Sequence, residues 1–292
     1  MTVIYAILFG MIQGIAEFFP VSSFGHLSAL EKIFGISRTA DVLFESMLHV
    51  GTIFAVFLVF QRDIRRLTEE YVGMAGDLLG NLNLYIHNRK TGEDLKYARI
   101  ISNSYRKFAV LVLISTIPTT LLGYVCRRLI VMAAVSPMLP GIGILITGIV
   151  LLVTDVGGAG GNRSAREAAY ANAMWIGICQ GLSVFPGLSR CGLTICAALL
   201  CGFSKTFAVK YSYIISIPAV IGAFLAEIGK FASPSMSLGL GAEYVVGMLV
   251  AALTSYLFAR TLLRILTQMK FRIFAYYCFA AGILILACNY LL

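Results

Sequence analysis

The chain has 292 residues, 59% of them hydrophobic and only 13% charged, with a mean hydropathy of +0.87. That balance excludes an ordinary soluble domain and identifies an integral membrane protein. The net charge of +9 is concentrated in two segments, so it reports topology rather than a nucleic-acid partner.

In chain order, the apolar stretch 3–20 has no basic residue before it and no small-residue cleavage pattern, and it carries Glu17; it reads as part of the fold, not as a signal peptide. It leads into QGIAEFFPVSSFGH at 13–26, where each polar group costs free energy unless it is satisfied or used. Span 42–60 follows, then the loop 61–107 with nine Lys/Arg, mixed charge and partial helical character, whose Arg65 and Arg66 can meet anionic headgroups. Spans 108–126 and 138–154 close the first half. GGAGGN at 157–162 has no strand before it and no GK[ST] after it, so it reads as flexible linker rather than a phosphate loop. The second half contains GICQGLSVFPGLSRCG at 177–192 and spans 208–228, 243–263 and 273–292. Five of the spans are long enough, or nearly so, to cross a bilayer core as helices of ~17 to 25 residues, and the sixth, 138–154, is slightly short.

The cationic segments 61–107 and 260–272 belong in the cytoplasm, which puts 155–170 inside and 127–137, 229–242 and the C-terminus outside. The seven cysteines form no CxxC and read as small packing residues. His49 reads as a polar residue lining a span and His87 as a loop residue.

The two motifs repeat. Gly10, Gln13, Gly14, Phe18, Ser22 and Gly25 match Gly177, Gln180, Gly181, Phe185, Ser189 and Gly192 at one offset of 167. Each copy continues into a segment unlike an ordinary span, 27–36 and 193–203, and then into three spans. The expected fold is all-α with an inverted-topology repeat. The first repeat, 1–156, has a re-entrant hairpin at 3–36; after a linker at 157–167, the second, 168–292, has one at 170–203. Three spans per half turn the second copy upside down, and broken helices in such folds meet near the midplane at an anion site.

The side chains suit a phosphorylated ligand. Ser189, Arg190 and Thr194 around Gly192 offer hydroxyls, a guanidinium fork and close backbone approach. Ser22, Ser23 and His26 add a hydroxyl and an imidazole three residues apart, suited to nucleophilic or acid–base chemistry on phosphorus. Glu17, with Gln13 one turn earlier, suits a cation or a proton, and Glu45 is a second acidic candidate. Unpaired at mid-membrane, Glu17, Glu45 and Arg190 would cost together roughly 8 to 10 kcal/mol, which favours a functional set over packing detail.

These residues also carry a resemblance. QGIAEFFPVSSFGHL at 13–27, FESMLHVGTIFAV at 44–56 and PGLSRCGLTI at 186–195 resemble the undecaprenyl pyrophosphate phosphatases, also called bacitracin-resistance proteins, over nearly the whole chain. The resemblance implies a multi-pass enzyme of the bacterial inner membrane whose site opens outward. It would hydrolyse undecaprenyl pyrophosphate and recycle the lipid carrier for cell-wall synthesis, helped by a divalent cation such as Mg2+ or Ca2+. It puts the essential acid on Glu17, the serine pair on Ser22 and Ser23, the histidine on His26 and the arginine on Arg190. Some members have glutamate where this chain has Gln13, and serine is usual where it has Cys191. The expected chemistry has Arg190, Ser189, Gly192 and Thr194, with Ser22 and Gln13, gripping the diphosphate, Glu17 and Glu45 holding metal or Glu17 orienting His26, and attack by Ser23 with His26 as base, by a His26-activated water, or by His26 itself. The partners expected are the polyprenyl diphosphate and membrane lipids, with homodimerisation left open. The alternative is a transporter or flippase for a phosphorylated polyprenyl lipid or organic anion.

Overall fold

Hydropathy and helix length sort the elements into spans and half-spans. The computed structural model describes residues 2–35, 42–126, 136, 138–233 and 236–291. The helices are α1 Val3–Ala16, α2 Ser23–Ile33, α3 Val42–Val59, α4 Gln61–Thr91, α5 Ser104–Val125, α6 Leu139–Val156, α7 Tyr170–Leu182, α8 Arg190–Leu200, α9 Lys205–Glu227, α10 Leu238–Gln268 and α11 Phe271–Leu291. Among the described residues there is no strand, only an isolated bridge between Arg163 and Phe203. Six helices among the described residues, α3, α5, α6, α9, α10 and α11, are long and apolar enough to cross a membrane, and the chain is a multi-pass membrane protein. The expected outer segment 127–137 lies, except for residue 136, outside the described residues.

By contrast α1, with 14 residues, and α7, with 13, reach only about 20 Å at 1.5 Å per residue, short of a core of about 30 Å. Each stops at a break and is followed by an 11-residue helix, α2 or α8. Both breaks end in the same cap. Ser22 Oγ accepts from the Gly25 N–H at 3.3 Å, and Ser189 Oγ accepts from the Gly192 N–H at 3.1 Å. The repeated serine-to-glycine spacing is thus an N-cap, supplying one of the bonds that the first turn of a helix lacks.

Lipid is as apolar as a leucine side chain, so helices in a bilayer associate through close packing rather than through hydrophobic gain. The repeated glycines provide it. A Cβ at Gly10 would come within 2.6 Å of the Gly247 carbonyl oxygen on α10, and one at Gly177 would overlap the Ser115 carbonyl oxygen on α5. Helix α1 therefore packs on α10 and α7 on α5. In the second break Gly187 sits at φ +85 with its α-carbon against the Pro140 carbonyl. No other residue type fits both the dihedral and the space.

The two connecting segments compare differently with the sequence reading. The cationic loop is partly helical as expected, with 61–91 forming one 31-residue helix, α4, closed by Gly92 at φ +76. It docks on α5 through Arg106, which donates to Glu70 at 3.0 Å and also pairs with Asp77, and through the Tyr71 hydroxyl, which donates to the Ala109 carbonyl at 2.8 Å. The glycine run expected as flexible linker is pinned to the end of the second hairpin. Gly161 N–H donates to the Phe203 carbonyl at 3.1 Å and Arg163 N–H to the Gly202 carbonyl at 3.2 Å.

Candidate active site

The two breaks meet on one carboxylate. Glu17 caps the C-terminus of α1 and is 8% exposed, so its charge needs partners. Ser23, the first residue of α2, donates its hydroxyl to Glu17 Oε2 at 3.0 Å. Arg190, the first residue of α8, forms an ion pair with Glu17 Oε1 and reaches the Ser216 carbonyl at 3.4 Å. Ser23 and Arg190 occupy equivalent positions in the repeat. Two half-span N-termini thus bring a hydroxyl and a guanidinium to opposite oxygens of the same acid, with helix-end amides behind them.

Two further groups complete the junction. Gln13 Nε2, one turn before Glu17 on α1, donates to Oε2 at 3.0 Å. His49 on α3 puts Nδ1 at 3.2 Å from the same oxygen and 2.9 Å from Gln13 Nε2. The sequence reading leaves His49 lining a span, whereas the structure brings it to the site. The available signal was its place as the one imidazole inside a span, four residues after Glu45.

His26 does not join this junction. Nδ1 lies 2.7 Å from the Ser22 carbonyl oxygen, and Nε2 lies 2.7 Å from the Tyr277 hydroxyl on α11. The expected bond from Ser23 to His26 is replaced by the bond from Ser23 to Glu17. The partners explain the difference: the Ser22 carbonyl and the Tyr277 hydroxyl hold the two ring nitrogens of His26, while Glu17 Oε2 holds the Ser23 hydroxyl. Ser22, at the entry to α2, sits at φ +64, the single described non-glycine residue with positive φ. Strain of this kind costs about 1 to 3 kcal/mol and concentrates at functional sites.

The remaining expected residues divide. Ser22 and Ser189 are caps rather than free hydroxyls, and the Ser189 N–H donates to Thr147 Oγ1 at 3.0 Å. Thr194 is fully buried; its hydroxyl contacts the Arg190 carbonyl at 2.8 Å and the Ser212 hydroxyl, so it stabilises α8 from behind instead of facing the junction. Gly192 lies in the first turn of α8 and gives its N–H to the cap. Cys191 Sγ is 3.3 Å from the Tyr213 hydroxyl, which donates to the Phe18 carbonyl at 3.0 Å and so ties the two breaks together. Glu45 is half-buried on α3, one turn before His49.

A resident divalent cation does not fit this donor set. Both oxygens of Glu17 are engaged, one by a guanidinium that would repel the ion, and among the described residues no group of three or more His, Cys, Asp or Glu side chains could hold a metal.

Beside the junction, an apolar cavity of about 800 Å³ runs between the first hairpin and α11. Ile12, Phe19, Leu30, Phe274 and Leu284 form its walls, with His26 and Tyr277 in its lining.

Comparison with known proteins gives one result throughout. A family model described as bacitracin resistance protein BacA matches residues 6–284. The chain is 35% identical to an undecaprenyl-diphosphatase of Alkaliphilus metalliredigens over 98% of both chains. It is 33% identical to one of Methanosphaera stadtmanae, covering 97% of this chain and 96% of the relative. A third, from Desulfosudis oleivorans, is 34% identical over 96% of both.

Proposed function

The chain belongs to the bacitracin resistance protein BacA family, and from that premise we propose that it hydrolyses undecaprenyl diphosphate to undecaprenyl phosphate and inorganic phosphate at the Glu17 junction. The observation that carries this reading is the meeting of Ser23 and Arg190, from opposite hairpins, on one buried carboxylate.

Arg190 turns from Glu17 to the diphosphate when substrate arrives, because the incoming oxyanions offer a planar guanidinium the same bidentate geometry with more charge. This frees the carboxylate to act as base. Ser23 Oγ attacks the terminal phosphorus and its proton passes to Glu17. The bridging P–O bond breaks, and undecaprenyl phosphate leaves with the bonding electrons. Arg190 and the helix-end amides of α2 and α8 bear the charge that develops. Water then attacks the phosphoserine, giving a proton to His26 Nε2 that later passes to solvent. Ser23 Oγ recovers its own proton from Glu17 as inorganic phosphate departs.

A divalent cation, which the junction residues alone do not fit, would need ligands from the diphosphate and would supply charge neutralisation there. The isoprenoid chain begins in the apolar cavity and continues into lipid. The inverted orientation of the two halves, a bacterial plasma-membrane location and an outward-facing site complete this reading. A transporter for a phosphorylated lipid needs the anion clamp but no nucleophile on a base.

The test is inorganic phosphate release from undecaprenyl diphosphate by purified protein in detergent, with and without chelator, beside Ser23→Ala and Arg190→Ala. Release by the parent that both substitutions abolish is the expected result. No release by folded parent at any cation concentration would remove the hydrolase reading and favour the transporter.

A further inference from the structure

Tyr277 lies on the last helix, 251 residues from the imidazole it touches. A carbonyl oxygen only accepts hydrogen bonds, so the 2.7 Å contact to the Ser22 carbonyl requires the proton of His26 on Nδ1. In the neutral ring Nε2 is then an acceptor, and the Tyr277 hydroxyl, 2.7 Å away, is its donor. The rings also stack, with centroids 5.6 Å apart and planes within 6°. Two contacts of different kinds therefore fix both the direction and the rotation of the imidazole. Both come from a side chain that lines the apolar cavity.

We infer that Tyr277 is a positioning residue for His26, holding Nε2 as a lone-pair acceptor at the boundary between the polar junction and the apolar cavity. The inference rests on the phosphatase reading only for its effect on turnover. In the resting enzyme the Tyr277 hydroxyl occupies the lone pair of Nε2, and no proton is transferred. The nitrogen becomes available when the hydroxyl turns away, and Tyr277 is placed to do so as a chain enters the cavity whose wall it forms. A group that acts through His26 affects the step in which His26 takes a proton rather than the binding of diphosphate.

The experiment compares parent, Tyr277→Phe and Tyr276→Phe. The last alters a neighbouring tyrosine absent from the cavity lining. One arm follows carbethoxylation of His26 by diethyl pyrocarbonate, read by mass spectrometry of the peptide that contains it, in detergent without substrate. Tyr277→Phe keeps a stacking ring but uncaps Nε2, so His26 should react several-fold faster than in the parent or in Tyr276→Phe. The other arm measures phosphate release: kcat should fall about tenfold in Tyr277→Phe with KM unchanged. Equal or slower carbethoxylation would overturn the inference, as would a change in KM alone. Faster carbethoxylation in a protein whose parent releases no phosphate would leave the positioning contact standing and remove the phosphatase reading instead.

Discussion

The two hairpins share a fold and differ in chemistry. Each has a short helix that stops at a break, a serine cap three residues before a glycine, and a glycine seated on the backbone of a neighbouring span. At the first position of the second helix one copy has Ser23 and the other Arg190. The acid that joins them comes from one copy alone, since Val184 stands where the first hairpin has Glu17. The matched features cap the short helices and seat them on neighbouring spans, and the unmatched ones are those to which the proposed reaction is assigned. Two similar hairpins place two different functional groups at one point, since the first residues of α2 and α8 meet on Glu17.

The widest separation of the two roles is expected in activity. Ser23→Ala removes the nucleophile and Arg190→Lys leaves a charge without the bidentate fork; phosphate release should fall about 10³-fold or more in the first and roughly 10² to 10³-fold in the second. Similar losses would be consistent with either group failing, whereas an active Ser23→Ala would remove the difference between the hairpins. Stability gives the next test. Arg190→Leu leaves Glu17 buried without its cation and should cost about 3 to 5 kcal/mol, while Glu17→Leu combined with Arg190→Leu should recover most of that. Thermal denaturation in detergent of the two single variants and the double variant measures the coupling.

Smaller effects examine the scaffold. Gly10→Ala and Gly177→Ala each force a methyl group toward a carbonyl oxygen and should destabilise by about 1 to 3 kcal/mol, in similar degree for both hairpins. The smallest effect separates the caps. Ser189→Ala and Ser22→Ala should each cost about 1 kcal/mol. Ser22→Gly should be more stable than Ser22→Ala by about 2 kcal/mol, because glycine is the better cap and also removes the strain at φ +64. At Ser189, with φ −78, only the cap preference separates glycine from alanine, and they should differ by somewhat under about 1 kcal/mol.

Much of the scaffold is legible in the sequence because its causes are local or periodic. Six spans follow from apolar length, and the paired breaks follow from glycines and serines repeated at an offset of 167. Glu17, Ser23 and Arg190 stand out as polar groups in apolar surroundings, where such groups need partners. Their pairing is less legible. Ser23 and His26 are one turn apart on α2, which suggests a contact, but Glu17 takes the hydroxyl and the Ser22 carbonyl takes Nδ1 of the ring. His49 and Tyr277 reach their partners across 36 and 251 residues, by helix packing that no spacing encodes. Thr194 carries a phosphate-binding hydroxyl by composition, yet the rotation of α8 buries it behind the site.

Trapping of the phosphorylated enzyme tests the division of roles most directly. Protein turning over undecaprenyl diphosphate labelled in its terminal phosphate is quenched and the label is located by peptide mapping, with parallel acid and alkaline quenches. The expected result is acid-stable phosphoserine at Ser23, in greater amount in His26→Ala and absent in Ser23→Ala. Acid-labile, alkali-stable label on His26 would contradict it, and so would undiminished turnover by Ser23→Ala.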